Sequence, residues 1–145
     1  MKKLLAVLLL CPGFASAGDL WLSATVTSVH LTSNHKLNES NPGLGLEYHT
    51  SSSVRYLVGA YRNSHRETSA YALAGWTPVS FGPVKLGLLA GVADGYQKLN
   101  DGNFTPVVAG IMPIEGDRFG MNVILIPRAL KKSPYTLGIQ VKYKF

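Results

Sequence analysis

The sequence predicts an all-β protein, an eight-stranded antiparallel up-and-down transmembrane β-barrel behind a secretory leader. Three observations predict it. Residues 135–145 alternate without a break: Leu137, Ile139, Val141, Tyr143 and Phe145 share one face, and Gly138, Gln140, Lys142 and Lys144 the other. That period of two suits a strand lying between an apolar and a polar medium. Seven further strand candidates precede it, most of them close to the roughly nine to eleven residues that a tilted membrane strand requires. Finally, no stretch after residue 17 is long and apolar enough to cross a bilayer as a helix. A membrane form must therefore be a closed barrel, in which every backbone group pairs between strands.

Met1-Lys2-Lys3 is a positive start, Leu4 to Leu10 is an apolar run, Pro12 and Gly13 break it, and Ala15-Ser16-Ala17 is a small-residue cleavage site. Residues 1–17 are expected to be a signal peptide and residues 18–145 the barrel domain. Cys11 is the only cysteine and leaves with the leader, so neither disulfides nor thiol chemistry is expected. A lipoprotein reading of Cys11 is disfavoured by the bulky Leu10 before it. Loss of Lys2 and Lys3 takes the basic count from 14 to 12 against 8 acidic residues, a net charge of +4. The charge is dispersed, with no basic run of the kind that binds nucleic acid.

The eight candidates run over 20–32, 42–50, 54–63, 69–79, 83–94, 104–114, 118–127 and 135–145, each bounded by turn signals. Leu44, Leu46 and Tyr48 alternate against Gly43, Gly45 and Glu47, and Phe119, Met121, Val123 and Leu125 against Gly120 and Asn122. Alternation blurs at 83–92, where Leu86, Leu88 and Leu89 occupy both faces; an apolar lumen or a packed interior would each produce this. Connections 51–53, 80–82 and 115–117 are tight, whereas 33–41, 64–68, 95–103 and 128–134 are mostly longer. Short turns on the periplasmic rim and long loops outside put both termini in the periplasm. Lys36, Arg62, Arg66, Lys98, Arg128, Lys131 and Lys132 gather at the long-loop rim against Glu39, Glu67, Asp94 and Asp101. Such an excess of cations suits the phosphates of an anionic surface glycolipid, although a solvated loop surface reads the same way. The closing strand, with Phe145 at its end, resembles the terminal signal strand of bacterial outer-membrane barrels. That likeness implies a Gram-negative outer membrane, delivery by its insertion machinery, and a monomer.

Few residues offer chemistry. The four histidines (30, 35, 49 and 65) lack paired spacing, there is no phosphate-cradling glycine loop, and neither a metal nor a cofactor is expected. Thr27-Ser28-Val29-His30 closes the first strand and Tyr61-Arg62-Asn63-Ser64-His65 the third. Both strands run outward, so His30, Asn63 and Ser64 are expected to converge at the outer rim. A histidine there can take a hydroxyl proton from a serine or from an acceptor alcohol. The outer loops of inert barrels hold the same residue types. Six prolines (42, 78, 83, 106, 113 and 127) lie in or at the ends of strands, where each removes a ladder donor and can open a gap for a lipid.

Five stretches occur in the same order as similar stretches in the lipid A palmitoyltransferase family. They are Asn38-Glu-Ser-Asn-Pro-Gly43 through Glu47, Tyr61-Arg-Asn-Ser-His65, Ala74-Gly-Trp-Thr-Pro78, Lys85-Leu-Gly-Leu-Leu-Ala-Gly91 and Ile126-Pro127. The resemblance implies an eight-stranded outer-membrane enzyme that moves a palmitoyl chain from a phospholipid donor to lipid A or lipopolysaccharide. It also implies roles: His30 (or, less well placed, His35) as the catalytic histidine, and Asn63-Ser64 where the family has Asp-Ser. Arg62 and Arg66 would bind headgroup phosphates. Gly75 would form the floor of the acyl pocket, and Pro42, Pro113 and Pro127 would keep lateral lipid access open. Two departures stand out. Asn63 cannot carry the family's negative charge, and Gly18-Asp19 leads straight into the first strand without the family's amphipathic helix. The rival readings are a lipid A deacylase and a non-catalytic surface barrel for adhesion, stress response or phage exclusion.

Overall fold

The computed structural model describes residues 18–31, 37–95, 101, 103–127 and 135–145. The leader, His35, Lys36, Lys98, Arg128, Lys131 and Lys132 lie outside them. Eight strands form: β1 (Asp19–His30), β2 (Ser40–His49), β3 (Val54–Arg62), β4 (Thr68–Phe81), β5 (Val84–Ala93), β6 (Thr105–Glu115), β7 (Phe119–Ile126) and β8 (Thr136–Lys144). Each is hydrogen-bonded antiparallel to the next, and β8 returns to β1 to close the barrel. Every boundary falls within two residues of its expected place. One turn differs: β4 continues to Phe81, so the hairpin to β5 is Gly82-Pro83, with Gly82 at φ 59° where a side chain would be strained.

The alternation is carried into space with the apolar residues outward. Leu44, Trp76, Leu88 and Val108 each leave 57–65 % of their surface exposed, while Glu47, Arg55, Asn122 and Lys142 are buried in the lumen. In water each such exterior side chain would forgo roughly 1.5–3 kcal/mol of burial. A band of them facing outward around a polar interior is the arrangement of a membrane barrel.

The lumen has two layers. Towards the tight-turn end it holds the charged residues. Above them Leu57, Tyr71, Leu89, Ala93, Ala109 and Ile111 pack together. This resolves the blurred stretch: Leu89 points in and is fully buried, while Leu86 and Leu88 point out. The interior is packed, as expected for eight strands. Tyr71 leans over the neighbouring strands β3 and β2, where a Cβ on Gly59 or Gly45 would collide with its hydroxyl. Glycine at those positions is what lets the ring lie there.

Candidate functional site

Strict alternation from Trp21, Ser23 and Thr25 would leave Ser28 and His30 facing outward. The structure corrects this with a bulge around Val26. Thr25 faces Gly43 on β2 and Gln140 on β8, whereas Thr27 faces Ser40 and Ile139. The slip exchanges the two faces of the remaining strand. Val29 becomes exposed, Ser28 becomes buried, and His30 turns toward the barrel interior.

There His30 meets the β3–β4 turn, and its Nε2 lies 2.8 Å from Ser64 Oγ. The two residues expected to converge do so at hydrogen-bond distance. His30 Nδ1 is buried without a partner among the described residues. For Nε2 to accept the Ser64 proton, Nδ1 must carry the ring hydrogen.

Asn63 takes a different place from the expected one. It is fully buried, but its amide donates to Ser69 Oγ (3.0 Å) and Gly95 O (2.9 Å), and its Oδ1 accepts from the backbone of His65 (2.9 Å) and Glu67 (3.0 Å). Every hydrogen-bonding position of its side chain is thus used in shaping the turn that presents Ser64. Any influence on the dyad runs through that backbone. Gly95, at φ 81°, offers its carbonyl to a donor, which an amide supplies and a carboxylate cannot.

Two residues not singled out from the sequence complete the scaffold. Asn41, almost wholly buried, accepts from Ser28 Oγ (2.6 Å) and donates to Arg62 O (2.8 Å). Ser28 and Arg62 each stand two residues before a member of the dyad, so Asn41 ties the two approaches together. Asn38 N donates to Ser64 O (3.0 Å), and Asn38 Nδ2 to Asn63 O (3.3 Å). The signal was the length of the Asn38–Gly43 stretch, with two short amides beside a proline where β2 begins.

The prolines divide. Pro42 is exposed in the β2 segment opposite the bulge, and Pro127 follows the last residue of β7. Among the described residues, pairing of β6 with β7 runs from Gly110–Leu125 toward the tight-turn end, with Thr105–Ala109 beyond it at the same end as Pro127. Pro113 does not fit with them. It is buried two residues from the tight-turn end of β6, opposite Asn122, and the missing rungs at Lys85 and Leu86 lie on its β5 side. Pro113 and those missing rungs thus lie at the tight-turn end, away from the His30–Ser64 contact.

Gly75 lies in the lumen wall, buried, where the apolar and charged layers meet. A Cβ there would lie 2.7 Å from Arg55 Cγ and 2.9 Å from Leu89 Cδ2. The space left by its missing side chain is filled by the chain's own residues.

Beneath it lies the charged network. Glu47 Oε1 receives His49 Nε2 (2.6 Å), Lys142 Nζ (2.8 Å) and Arg55 Nη1 (2.9 Å), and Oε2 receives Asn122 Nδ2 (2.7 Å). Glu115 Oε1 receives Lys142 Nζ (2.6 Å) and Arg55 Nη1 (2.7 Å), with Lys85 Nζ 3.0 Å from Oε2. Lys142 also lies 4.8 Å from the Trp21 ring centroid, and Trp21 stacks on His49. Ligand atoms of Glu47, His49 and Glu115 lie within 4.8 Å of one another. The positive charge such a trio would attract is already supplied by Arg55 and Lys142.

No known family's sequence profile matches the chain, and no curated protein sequence does. Its fold is similar to that of solved designed proteins. One is described as "Solution NMR structure of de novo designed TMB2.3", with a TM-score of 0.60 at 14 % identity, covering 88 % of this chain and 93 % of that one. Another is described as "De novo design of transmembrane beta-barrels", with a TM-score of 0.62 at 13 % identity, covering 88 % and 95 %. At such identities the likeness is one of fold, and the fold is that of an eight-stranded transmembrane β-barrel.

Proposed function

We propose that this barrel is an outer-membrane acyltransferase that moves a palmitoyl-type chain from a phospholipid to a hydroxyl of lipid A. The observation that carries the reading is the 2.8 Å contact between His30 Nε2 and Ser64 Oγ, made across the barrel wall at the long-loop end. In this reading His30 takes the Ser64 proton as Ser64 Oγ adds to the donor ester carbonyl. The ester C–O bond breaks, and the departing lysophospholipid alkoxide receives the proton from His30. The acceptor hydroxyl, deprotonated in turn by His30, then displaces Ser64 from the acyl carbon, and Ser64 regains the proton. The loosened ladders beside Pro42 and Pro127 give membrane lipids a way to the dyad.

A second reading, a non-catalytic surface barrel, is favoured by the charged network that fills the tight-turn half of the lumen. One experiment separates them. Expressed in a Gram-negative host without its own such enzyme, the protein should add one long acyl chain to lipid A, seen by mass spectrometry. His30→Ala should lower the heavier species by on the order of 10²–10⁴ in rate while the barrel stays folded. Unchanged lipid A with folded wild-type protein, under membrane-perturbing conditions, supports the inert barrel. A lighter lipid A would mean deacylation.

A further inference from the structure

One hydrogen-bonding position of the dyad is open. With Nε2 accepting from Ser64, His30 Nδ1 carries the ring hydrogen, yet it is buried and has no partner among the described residues. A buried N–H without an acceptor is costly, and a base that becomes a cation needs a negative charge beside it. Asn63 supplies none, because it is neutral and its amide is taken up by the β3–β4 turn.

Glu39 stands where such a charge is needed. Beyond the bulge Thr27 lies opposite Ser40. On the next rung the Glu39 carbonyl accepts from Ser28 N (3.1 Å) and also from Thr27 Oγ1 (2.7 Å). Residues opposite each other in a ladder share a face, so Glu39 lies on the inward side with Ser28. The parity of β2 agrees, since Glu39 stands two residues before the buried Asn41. His30 follows Ser28 by two residues and is therefore the diagonal neighbour of Glu39. Ser28 and Asn41 stand in the same diagonal relation one step back, and their side chains meet at 2.6 Å. Such diagonals span roughly 7–8 Å, within reach of long side chains. The Glu39 carboxylate is near enough for its charge to act on the His30 ring. It is exposed, and it forms no ion pair among the described residues.

We infer that Glu39 is the acid of a Ser64–His30–Glu39 triad. Its carboxylate accepts the Nδ1 hydrogen and balances the charge of His30 while the ring holds the Ser64 proton. No bond to Glu39 forms or breaks. The proton passes from Ser64 Oγ to His30 Nε2 and on to the departing alkoxide, while Glu39 fixes the tautomer and steadies the cation. The charge enters from the start of β2 rather than from the position before the serine, where the resembled family has it. The consequence for rate rests on the acyl-transfer reading, whereas the pairing of Glu39 with His30 does not.

The test uses the folded mature barrel in neutral maltoside micelles with ¹⁵N-labelled histidine, His30 being assigned by its loss in His30→Ala. Long-range ¹H–¹⁵N spectra report which ring nitrogen is protonated. The wild type should hold the hydrogen on Nδ1, and Glu39→Ala should move it to Nε2. A fluorophosphonate, which loses fluoride as Ser64 Oγ bonds to phosphorus, reads the nucleophile without any lipid, with Ser64→Ala as the blank. Glu39→Gln should slow this labelling by about tenfold to a hundredfold, less than loss of the base itself because the exposed charge is screened. Glu39→Asp should recover part of the rate. The carbonyl of Glu39 and not its carboxylate holds the rung, so these variants should stay folded, as checked by heat-dependent gel migration. Glu39 loses this role if the wild-type hydrogen sits on Nε2, if Glu39→Ala leaves the tautomer unchanged, or if Glu39→Gln labels as fast as the wild type. A wild type that shows the expected tautomers but neither labels nor alters lipid A overturns the acyl-transfer reading and leaves the Glu39–His30 pair standing.

Discussion

The two ends of the lumen use the same kinds of side chain in opposite ways. At the tight-turn end, both oxygens of Glu47 and both of Glu115 are taken up by cations or an amide, in a region where Glu47 and Lys142 are completely shielded. At the long-loop end, among the described residues, His30 keeps one ring nitrogen unpaired and Arg62 and Arg66 form no ion pair with a carboxylate. Committed polar groups hold a structure in place, whereas chemistry and binding need groups with capacity left over. One barrel thus holds a plug at one end and a candidate site at the other.

The largest expected effect comes from breaking the plug. In Lys142→Met the side chain keeps its length, but two buried carboxylates lose a shared cation. Removing one member of a buried ionic set typically costs about 3–5 kcal/mol, because an uncompensated charge stays behind. The loss should appear as a lower urea midpoint for unfolding from phosphatidylcholine vesicles, scored by gel migration. Adding Glu47→Gln should recover part of it, since the two positions touch and their effects do not add. A loss under about 1 kcal/mol would mean that the network is hydrated, and the contrast between the two ends would fail.

A middle-sized effect is expected from Asn63→Asp, the change that would recreate the Asp-Ser pair of the resembled family. If Asn63 were a weakened acid facing His30, activity would rise. The structure gives the amide another task, because its two N–H groups satisfy Ser69 and Gly95. A carboxylate would face the Gly95 carbonyl without a proton to share. We expect a loss of about 1–3 kcal/mol in stability and no gain in acyl transfer. Greater acyl transfer by an Asn63→Asp protein of unchanged stability would restore the residue to a direct role.

The strands were legible because each is read by its own period. Gln140 and Lys142 face inward while Leu137 and Val141 face out, which needs no knowledge of any other strand. The meeting of His30 with Ser64 was legible from direction alone, since β1 and β3 both run toward the long loops. The reason it works was not. The bulge at Val26 has no marker in the residues, and without it the parity of β1 would turn His30 outward. Pairings across the lumen, such as Glu47 with Lys142 at a separation of 95 residues, depend on closure and register, which no single segment encodes. The inward charges carried a hint, because a narrow lumen cannot hold them unpaired. The space beside Gly75 was read as room for an acyl chain, although Arg55, one strand away, fills it.

The smallest effect sharpens the comparison by moving a lysine and a carboxylate out of the lumen. Lys144 Nζ lies 3.5 Å from Asp19 Oδ2 at the tight-turn rim, two residues along the same strand from Lys142. The residue types resemble those of the plug, but Asp19 is 56 % and Lys144 28 % exposed, against zero for Lys142 and Glu47. In high dielectric the attraction is weak, and ordering two flexible side chains offsets much of it. Asp19→Asn should therefore change stability by less than about 0.5 kcal/mol. Even that difference should vanish as salt rises toward 1 M, where the screening length falls to about 3 Å. The Lys142→Met loss should persist at the same salt, because the lumen excludes the screening ions. If both losses faded together with salt, the plug would be open to solvent, and its difference from the rim would be one of position only.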